Sequence, residues 1–256
     1  MSAFLLCAAA LAAAQTLAFD QALDLSVQRS EAARAARAAA HGATESSRAA
    51  AQLPDPMLRA GIDNQPTSGG REPMTMKRIG LSQEWVPADK RAARAAVAEA
   101  MGEREATQSR IAEADARLRA ALAYVDAWYA DAALQLAVEL EARFREEMDA
   151  ARARLAGAGG EAAPVLGLAA ELGTAEDESE QARQQQAGAF IALQRWVGLR
   201  PDALAPLPAL AMPAEEDFVA GSPAVLAARR ELELARRGAD LAAKEVRPNW
   251  TWEVAY

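Results

Sequence analysis

One cysteine and one histidine in 256 residues leave this chain little reactive chemistry. Cys7 is the only thiol, so an intrachain disulfide and a thiolate metal cluster are both excluded. His41 stands alone in an alanine-rich stretch, where it reads as a solvated or wall-facing residue rather than a general base. No Ser/His/Asp set, glycine-rich phosphate loop or His-Glu metal spacing appears, so no catalytic site, metal site or cofactor is expected. Aromatic residues are scarce too, at 5% of a chain that is 52% apolar, and alanine carries much of the apolar total. Alanine is the best helix former and the smallest side chain with a Cβ, so this composition suits long, closely spaced helices rather than a thick core. Basic charge is in deficit: 28 Lys and Arg against 36 Asp and Glu give a net charge of -8, which disfavours nucleic acid as a partner.

Long hydrophobic runs are also missing. Residues 2–14 form the one apolar stretch rich in small residues, and it is too short to span a bilayer as a helix. Ending in Ala12-Ala13-Ala14-Gln15, it reads as the apolar region and cleavage site of a secretory signal, although it lacks a basic leading segment. The other reading is the start of a helix in a cytosolic protein. Cys7 follows Leu5-Leu6 rather than a small residue, which argues against acylation there.

What the chain has is an internal repeat, and self-similarity reorganises every later inference. Ser30 opens a helical stretch ending at Pro54-Asp55-Pro56, followed by the extended Met57-Leu58-Arg59-Ala60-Gly61-Ile62. Ser222 opens another ending at Arg247-Pro248-Asn249, followed by Trp250-Thr251-Trp252-Glu253-Val254, at a constant offset of 192 residues. The pairs Arg37 and Arg229, Ala51 and Ala243, Leu58 and Trp250, and Ile62 and Val254 hold that register. The first copy spans 17–198, residues 199–217 with four prolines form a linker, and the second copy begins at 218 and is expected to be incomplete.

Within the first copy the pattern predicts a helix over 20–52, interrupted near Ser30, then strands over 57–65 and 74–86 around the turn-rich loop 65–73. The second copy predicts a helix over 222–246, with Ser222 and Pro223 suited to its first positions, and a strand over 249–256. Strand alternation is clear: Trp250, Trp252, Val254 and Tyr256 share one face, as do Leu58, Ala60 and Ile62, against Arg59 and Asp63 on the other. Strands of this length, apolar on one face and polar on the other, fit a membrane β-barrel with lipid outside and water inside. A small soluble hairpin with one face on a core fits them as well. Met74 and Met76 read either as strand residues or as thioether ligands for a soft cation, and two thioethers without a Cys or His partner make a poor site.

Residues 88–155 contain no proline and one glycine, Gly102, predicting a helix of about 100 Å. Its large apolar side chains, Ile111, Leu118, Leu122, Val125, Tyr129, Leu136 and Leu140, make a seam, continued after a one-residue slip by Phe144, Met148 and Leu155. Trp128, Leu134 and Val138 begin a second stripe. After the break at Gly157-Ala158-Gly159-Gly160, a helix over 164–197 carries the stripe Val165, Leu168, Leu172, Ala175, Ser179, Ala182, Gln186, Ala189, Leu193 and Trp196.

This organisation resembles the TolC-type outer-membrane efflux channel family. Leu53-Pro54-Asp55-Pro56 is similar to the family's helix-to-strand junction. Met74-Thr75-Met76-Lys77-Arg78-Ile79-Gly80-Leu81-Ser82-Gln83-Glu84-Trp85, then Pro87 and Lys90-Arg91, resembles the second strand and strand-to-helix junction of its heavy-metal, CzcC-like branch. Gly198-Leu199-Arg200-Pro201 and Ser222-Pro223 resemble the end of the first repeat and the opening of the second. Pro164, where the family usually has an Asp before Val-Leu, and Gly102 depart from the pattern.

The resemblance implies a mainly α fold: long antiparallel coiled-coil hairpins with a short membrane β-hairpin, in a duplicated unit truncated in its second copy. It implies a homotrimer in the outer membrane, extending into the periplasm, that conducts substrates passively from an inner-membrane pump and a periplasmic adaptor. Heavy-metal cations would be among the substrates. On that reading Arg154, Gly157, Gly159, Gly160 and Glu161 form the adaptor-docking tip. Arg59 and Asp63 would face the barrel lumen, and Leu58, Ile62, Trp250, Trp252 and Tyr256 the lipid. A periplasmic coiled-coil adaptor or a cytosolic scaffold are the competing readings. The first should carry Gly- and Val-rich lipoyl-like strands, and the second should lack both a signal and a recurring aromatic strand.

Overall fold

The structure, a computed structural model, describes residues 16–64, 75–157, 161–209 and 211–256. The predicted signal, Cys7, the loop at 65–73, Met74, Gly159 and Gly160 lie outside the described residues. The elements among the described residues are, in order, β1 (Thr16–Leu17), α1 (Phe19–Arg29), α2 (Glu31–Ala50), β2 (Met57–Asp63), β3 (Met76–Trp85), α3 (Ala88–Ala156), α4 (Ala163–Val197), β4 (Ala203–Leu204), α5 (Glu215–Gly221), α6 (Pro223–Glu245) and β5 (Trp250–Ala255). Contacts divide the chain into two compact units, and these cut across the sequence repeats. One holds residues up to Arg34 together with Glu113–Met212; the other holds Ala35–Ala112 and Pro213–Tyr256.

The helix boundaries follow local chemistry. Ser30 separates α1 from α2, and its Oγ accepts the Ala33 N–H at 3.1 Å, capping α2. Ser222 occupies the matching place before α6 but makes no side-chain cap; there Pro223 supplies the preset first turn instead. Pro164 lies in the first turn of α4, where a missing N–H is harmless. Gly198 ends α4 with φ of 81°, and the Arg29 guanidinium lies against it, 2.2 Å from where a Cβ would stand. The expected linker, 199–217, is more ordered than proline content suggested. β4 pairs with β1 in parallel, and the start of α5 places Glu215, Glu216 and Asp217 at a helix N-terminus, where the backbone dipole favours them.

The first unit has the larger core, built on small side chains. Ala116, Ala120, Ala123 and Ala127 of α3 are buried at four-three-four spacing, with Leu17 and Ala22 nearby and Phe190, Leu193 and Val197 of α4. Alanine at these places lets helix axes come close, and dispersion contacts replace bulk. Tyr124 is the largest fully buried side chain among the described residues. Its ring meets Phe19 edge-on at 5.4 Å, and its hydroxyl lies 2.9 Å from the Leu17 carbonyl and 2.8 Å from that of Ala205. The same Leu17 carbonyl accepts the Ala205 N–H, so one tyrosine joins the N-terminal strand to the inter-repeat segment. Burial raises the Tyr124 phenol above its ordinary value.

α3 and α4 run antiparallel, as successive cross-contacts show: Asp131 with Gln186, Glu141 with Ser179, Arg145 with Glu176. Of the predicted α4 stripe, Ala175, Ser179 and Leu193 are buried, but toward the end of the helix Phe190 and Val197 are buried where the stripe had Ala189 and Trp196. For α3 the structure corrects the sequence reading. Most of the stripe of large apolar residues is not the intrachain seam: Leu118, Leu122, Tyr129, Leu136 and Leu140 remain exposed, Leu136 to 68%, while Met148 from its continuation is buried. The alanine stripe takes the intrachain contact because it permits the closer approach, which leaves the leucine stripe without cover among the described residues.

Midway along this hairpin sits a polar pin. Glu141 is 9% exposed and accepts the Ser179 hydroxyl at 2.6 Å, while Arg145 donates to Glu141 at 2.7 Å and to Glu176 at 2.9 Å. The Ser179 bond first, and Arg145 with it, hold the Glu141 carboxyl below its ordinary range against the opposing effect of burial.

Candidate functional site

In the second unit β2, β3 and β5 form an antiparallel sheet with β3 in the centre. β2 pairs Leu58 with Leu81 and Ile62 with Lys77, and β5 pairs Trp250 with Trp85 and Val254 with Leu81. Backbone bonds between Ile79 and Tyr256, in both directions, extend that ladder by one residue. Because side chains alternate along a strand, this register fixes both faces of the sheet.

One face carries Leu58, Ala60 and Ile62, then Lys77, Ile79, Leu81, Gln83 and Trp85, then Trp250, Trp252, Val254 and Tyr256, so it is apolar but for Lys77 and Gln83. Its large side chains are uncovered: Leu58 is 72% exposed, Trp252 70% and Val254 75%. The other face carries Met57, Arg59, Gly61 and Asp63, then Met76, Arg78, Gly80, Ser82 and Glu84, then Thr251, Glu253 and Ala255. Across strands Arg78 reaches Asp63 at 2.8 Å, an ionic contact outside hydrogen-bond geometry. The sheet therefore gathers Arg59 and Asp63 on one side and Leu58, Ile62, Trp250, Trp252 and Tyr256 on the other.

The sheet is anchored to its helices through residues that sequence reading treated only as junction motifs. Lys90, almost fully buried in the first turn of α3, donates to the Arg247 carbonyl at 2.7 Å and to Asn249 Oδ1 at 2.8 Å. Asn249 Nδ2 donates to Glu84 Oε1 at 2.6 Å, and Gln83 Nε2 donates to the Pro54 carbonyl at 2.7 Å. Three chain crossings between helix and strand are thus tied together. Their sequence signal was the proline that ends the helix at each copy's junction, Pro54 and Pro248, but not the partners.

The predicted tip residues lie in the other unit. Arg154 and Glu161 are exposed on either side of the turn, and neither forms an ion pair with a described residue; the Gly157 N–H donates to the Arg154 carbonyl at 3.2 Å. Met76 falls on the polar face opposite Asp63. No helix among the described residues is long and apolar enough to cross a membrane.

No protein-family model matches the sequence, and no curated protein matches it. Solved structures do. The outer membrane protein VceC of Vibrio cholerae superposes with a TM-score of 0.70 at 17% identity, over 93% of this chain and 61% of VceC. The CmeC outer membrane channel of Campylobacter jejuni gives 0.70 at 10% identity, over 92% of this chain and 55% of CmeC. The open state of the MtrE outer membrane channel of Neisseria gonorrhoeae gives 0.74 at 18% identity, over 93% of this chain and 57% of MtrE. The fold is therefore that of outer-membrane channels of this kind, mainly helical with long packed helices and small sheets. The chain spans a little under three-fifths to about three-fifths of the length of these proteins.

Proposed function

We propose, from a fold shared with outer-membrane channels, that this chain is part of the exit duct of a tripartite efflux system. The observation that carries the reading is the uncovered two-faced sheet. Each large side chain on its apolar face gains about 1.5–3 kcal/mol on leaving water, and nothing among the described residues supplies that cover. Lipid would. The polar face, with Arg59 and Asp63, then lines a water-filled lumen, and Trp85, Trp250 and Trp252 stand at the helix end of the sheet, where an interfacial girdle belongs.

A sheet in a membrane cannot keep open edges, so its outer strands must pair with further strands to close a barrel. On this reading three chains share one barrel, and the exposed leucine stripe of α3 is covered by a neighbouring helix of the assembly. The duct runs from the outer membrane into the periplasm and conducts passively; an inner-membrane pump and a periplasmic adaptor deliver the substrate. The turn between α3 and α4, with Arg154, Gly157 and Glu161, docks the adaptor. Metal cations are one substrate class, supported by the resemblance of 74–91 to the heavy-metal branch.

Purified protein added to planar lipid bilayers is expected to give stepwise, ATP-independent conductance. Absence of any conductance from protein correctly inserted in lipid would refute the duct. Charge reversal at Arg154 and Glu161 is expected to weaken crosslinking to the adaptor and efflux together, and unchanged values would remove the docking role.

A further inference from the structure

The polar face of the sheet is not uniformly polar; its charges are arranged in levels. Reading across the strands, Asp63 faces Met76, Gly61 faces Arg78, Arg59 faces Gly80 and then Ala255, and Met57 faces Ser82 and then Glu253. Successive levels on one face are about 7 Å apart. Gly61 and Gly80 floor a crevice of about 150 Å³ that Arg59, Asp63, Arg78 and Glu253 surround. A Cβ at Gly80 would come within 3.3 Å of Ala255 Cβ, so the crevice floor cannot be raised there without a shift.

The charges differ in their partners. Arg78 is neutralised by Asp63, whereas neither Arg59 nor Glu253 forms an ion pair with a described residue. One uncompensated cation and one uncompensated anion thus occupy adjacent levels on the same face, the anion nearer the helices.

We propose that this glycine-floored band is the charge-selecting element of the conduit, with Arg59 opposing cations and Glu253 opposing anions. The proposal rests on the duct reading above, which makes this face the lumen wall. Rings of fixed charge bias the local concentration of small ions, and in a confined aqueous path that bias becomes a permeability ratio. The solutes it sorts are small ions and charged molecules that pass within a screening length of the wall. That length is about 8 Å at physiological ionic strength and about 3 Å at 1 M, so the selection fades in high salt.

The test is the cation-to-anion permeability ratio of channels in planar bilayers under a potassium chloride gradient. Arg59→Ala is expected to raise the ratio roughly two- to threefold near 0.1 M salt, and Glu253→Ala to lower it by a similar factor. Asp63→Asn frees Arg78 and is expected to lower the ratio too. All three shifts should largely vanish at 1 M. To separate selectivity from folding, Arg59→Cys in a Cys7→Ser background is modified after insertion with an anionic and then, in a separate membrane, a cationic thiosulfonate. One folded channel should move in opposite directions with the two reagents. Conducting channels whose ratio ignores both reagents and all three substitutions would overturn the proposal and leave the duct standing. Absence of conductance from the unaltered protein would overturn both.

Discussion

Removing a single oxygen, in Tyr124→Phe, should loosen the N-terminal strap of the first unit without disturbing its core. The ring keeps its edge-on contact with Phe19, and the site stays filled, so no cavity forms. What goes is the hydroxyl that touches the carbonyls of Leu17 and Ala205 at 2.9 and 2.8 Å. Leu17 still accepts the Ala205 N–H, but the Ala205 carbonyl loses its partner. Leaving one such acceptor unsatisfied costs about 1–3 kcal/mol, equivalent to roughly 5- to 150-fold in an opening equilibrium. Hydrogen exchange at the Ala205 amide reports that opening directly and should accelerate by that factor. Tyr124→Ala adds a cavity, costs about 3–5 kcal/mol and should accelerate exchange further. The phenol also gives a pH signature. Its folded value is raised by burial, so its contribution is complete below the ordinary tyrosine range and is lost as pH rises through the folded value. Tyr124→Phe should abolish that alkaline loss. Ala205 exchange within twofold of the native rate in Tyr124→Phe would refute the reasoning.

Two further outcomes follow from the polar contacts. Glu141 is held below the ordinary carboxylate range in the folded chain, so its contribution is present above that range and disappears as pH falls through the folded value. Glu141→Gln should therefore melt earlier than the native chain at neutral pH but lose less on acidification, as thermal melts followed by helical circular dichroism across that range would show. Lys90→Met keeps the length of the side chain and strands the Arg247 carbonyl and Asn249 Oδ1; with about 1.5–3 kcal/mol for each bond to a charged donor, strand β5 should become the first segment cut in limited proteolysis.

The fold class was legible in the sequence because helical periodicity, proline and glycine punctuation and the 192-residue repeat all act locally. The two faces of the sheet were legible for the same reason: alternation survives whatever the strand packs against. The partner of each helix stripe was not. On α3 bulk favoured Leu118, Leu122 and Leu136, with a second stripe beginning at Trp128, whereas the residues buried within the chain include Ala116, Ala120, Ala123 and Ala127, which the sequence reading did not single out. Pattern ranks side chains by hydrophobicity, but close approach of two backbones rewards smallness. The α4 stripe held at Ala175, Ser179 and Leu193 and slipped by one residue to Phe190 and Val197. Tyr124, Lys90, Ser179 and Arg78 were missed as organising residues because their partners lie 107, 157, 38 and 15 positions away in the chain, beyond any local signal.

Scanning one strand would show whether the sheet is a membrane wall with lipid on one face and water on the other. Single cysteines at Leu58, Arg59, Ala60, Gly61 and Ile62, in a Cys7→Ser background and reconstituted in lipid, would each be probed twice. A water-soluble thiol reagent reports aqueous access, and brominated lipid quenches a fluorophore attached at the same position. A membrane wall is expected to give a period of two: Arg59 and Gly61 react fast and resist quenching, while Leu58, Ala60 and Ile62 are quenched and react slowly. Uniform reactivity along the strand with no quenching would contradict it, and would place this sheet in water on both faces.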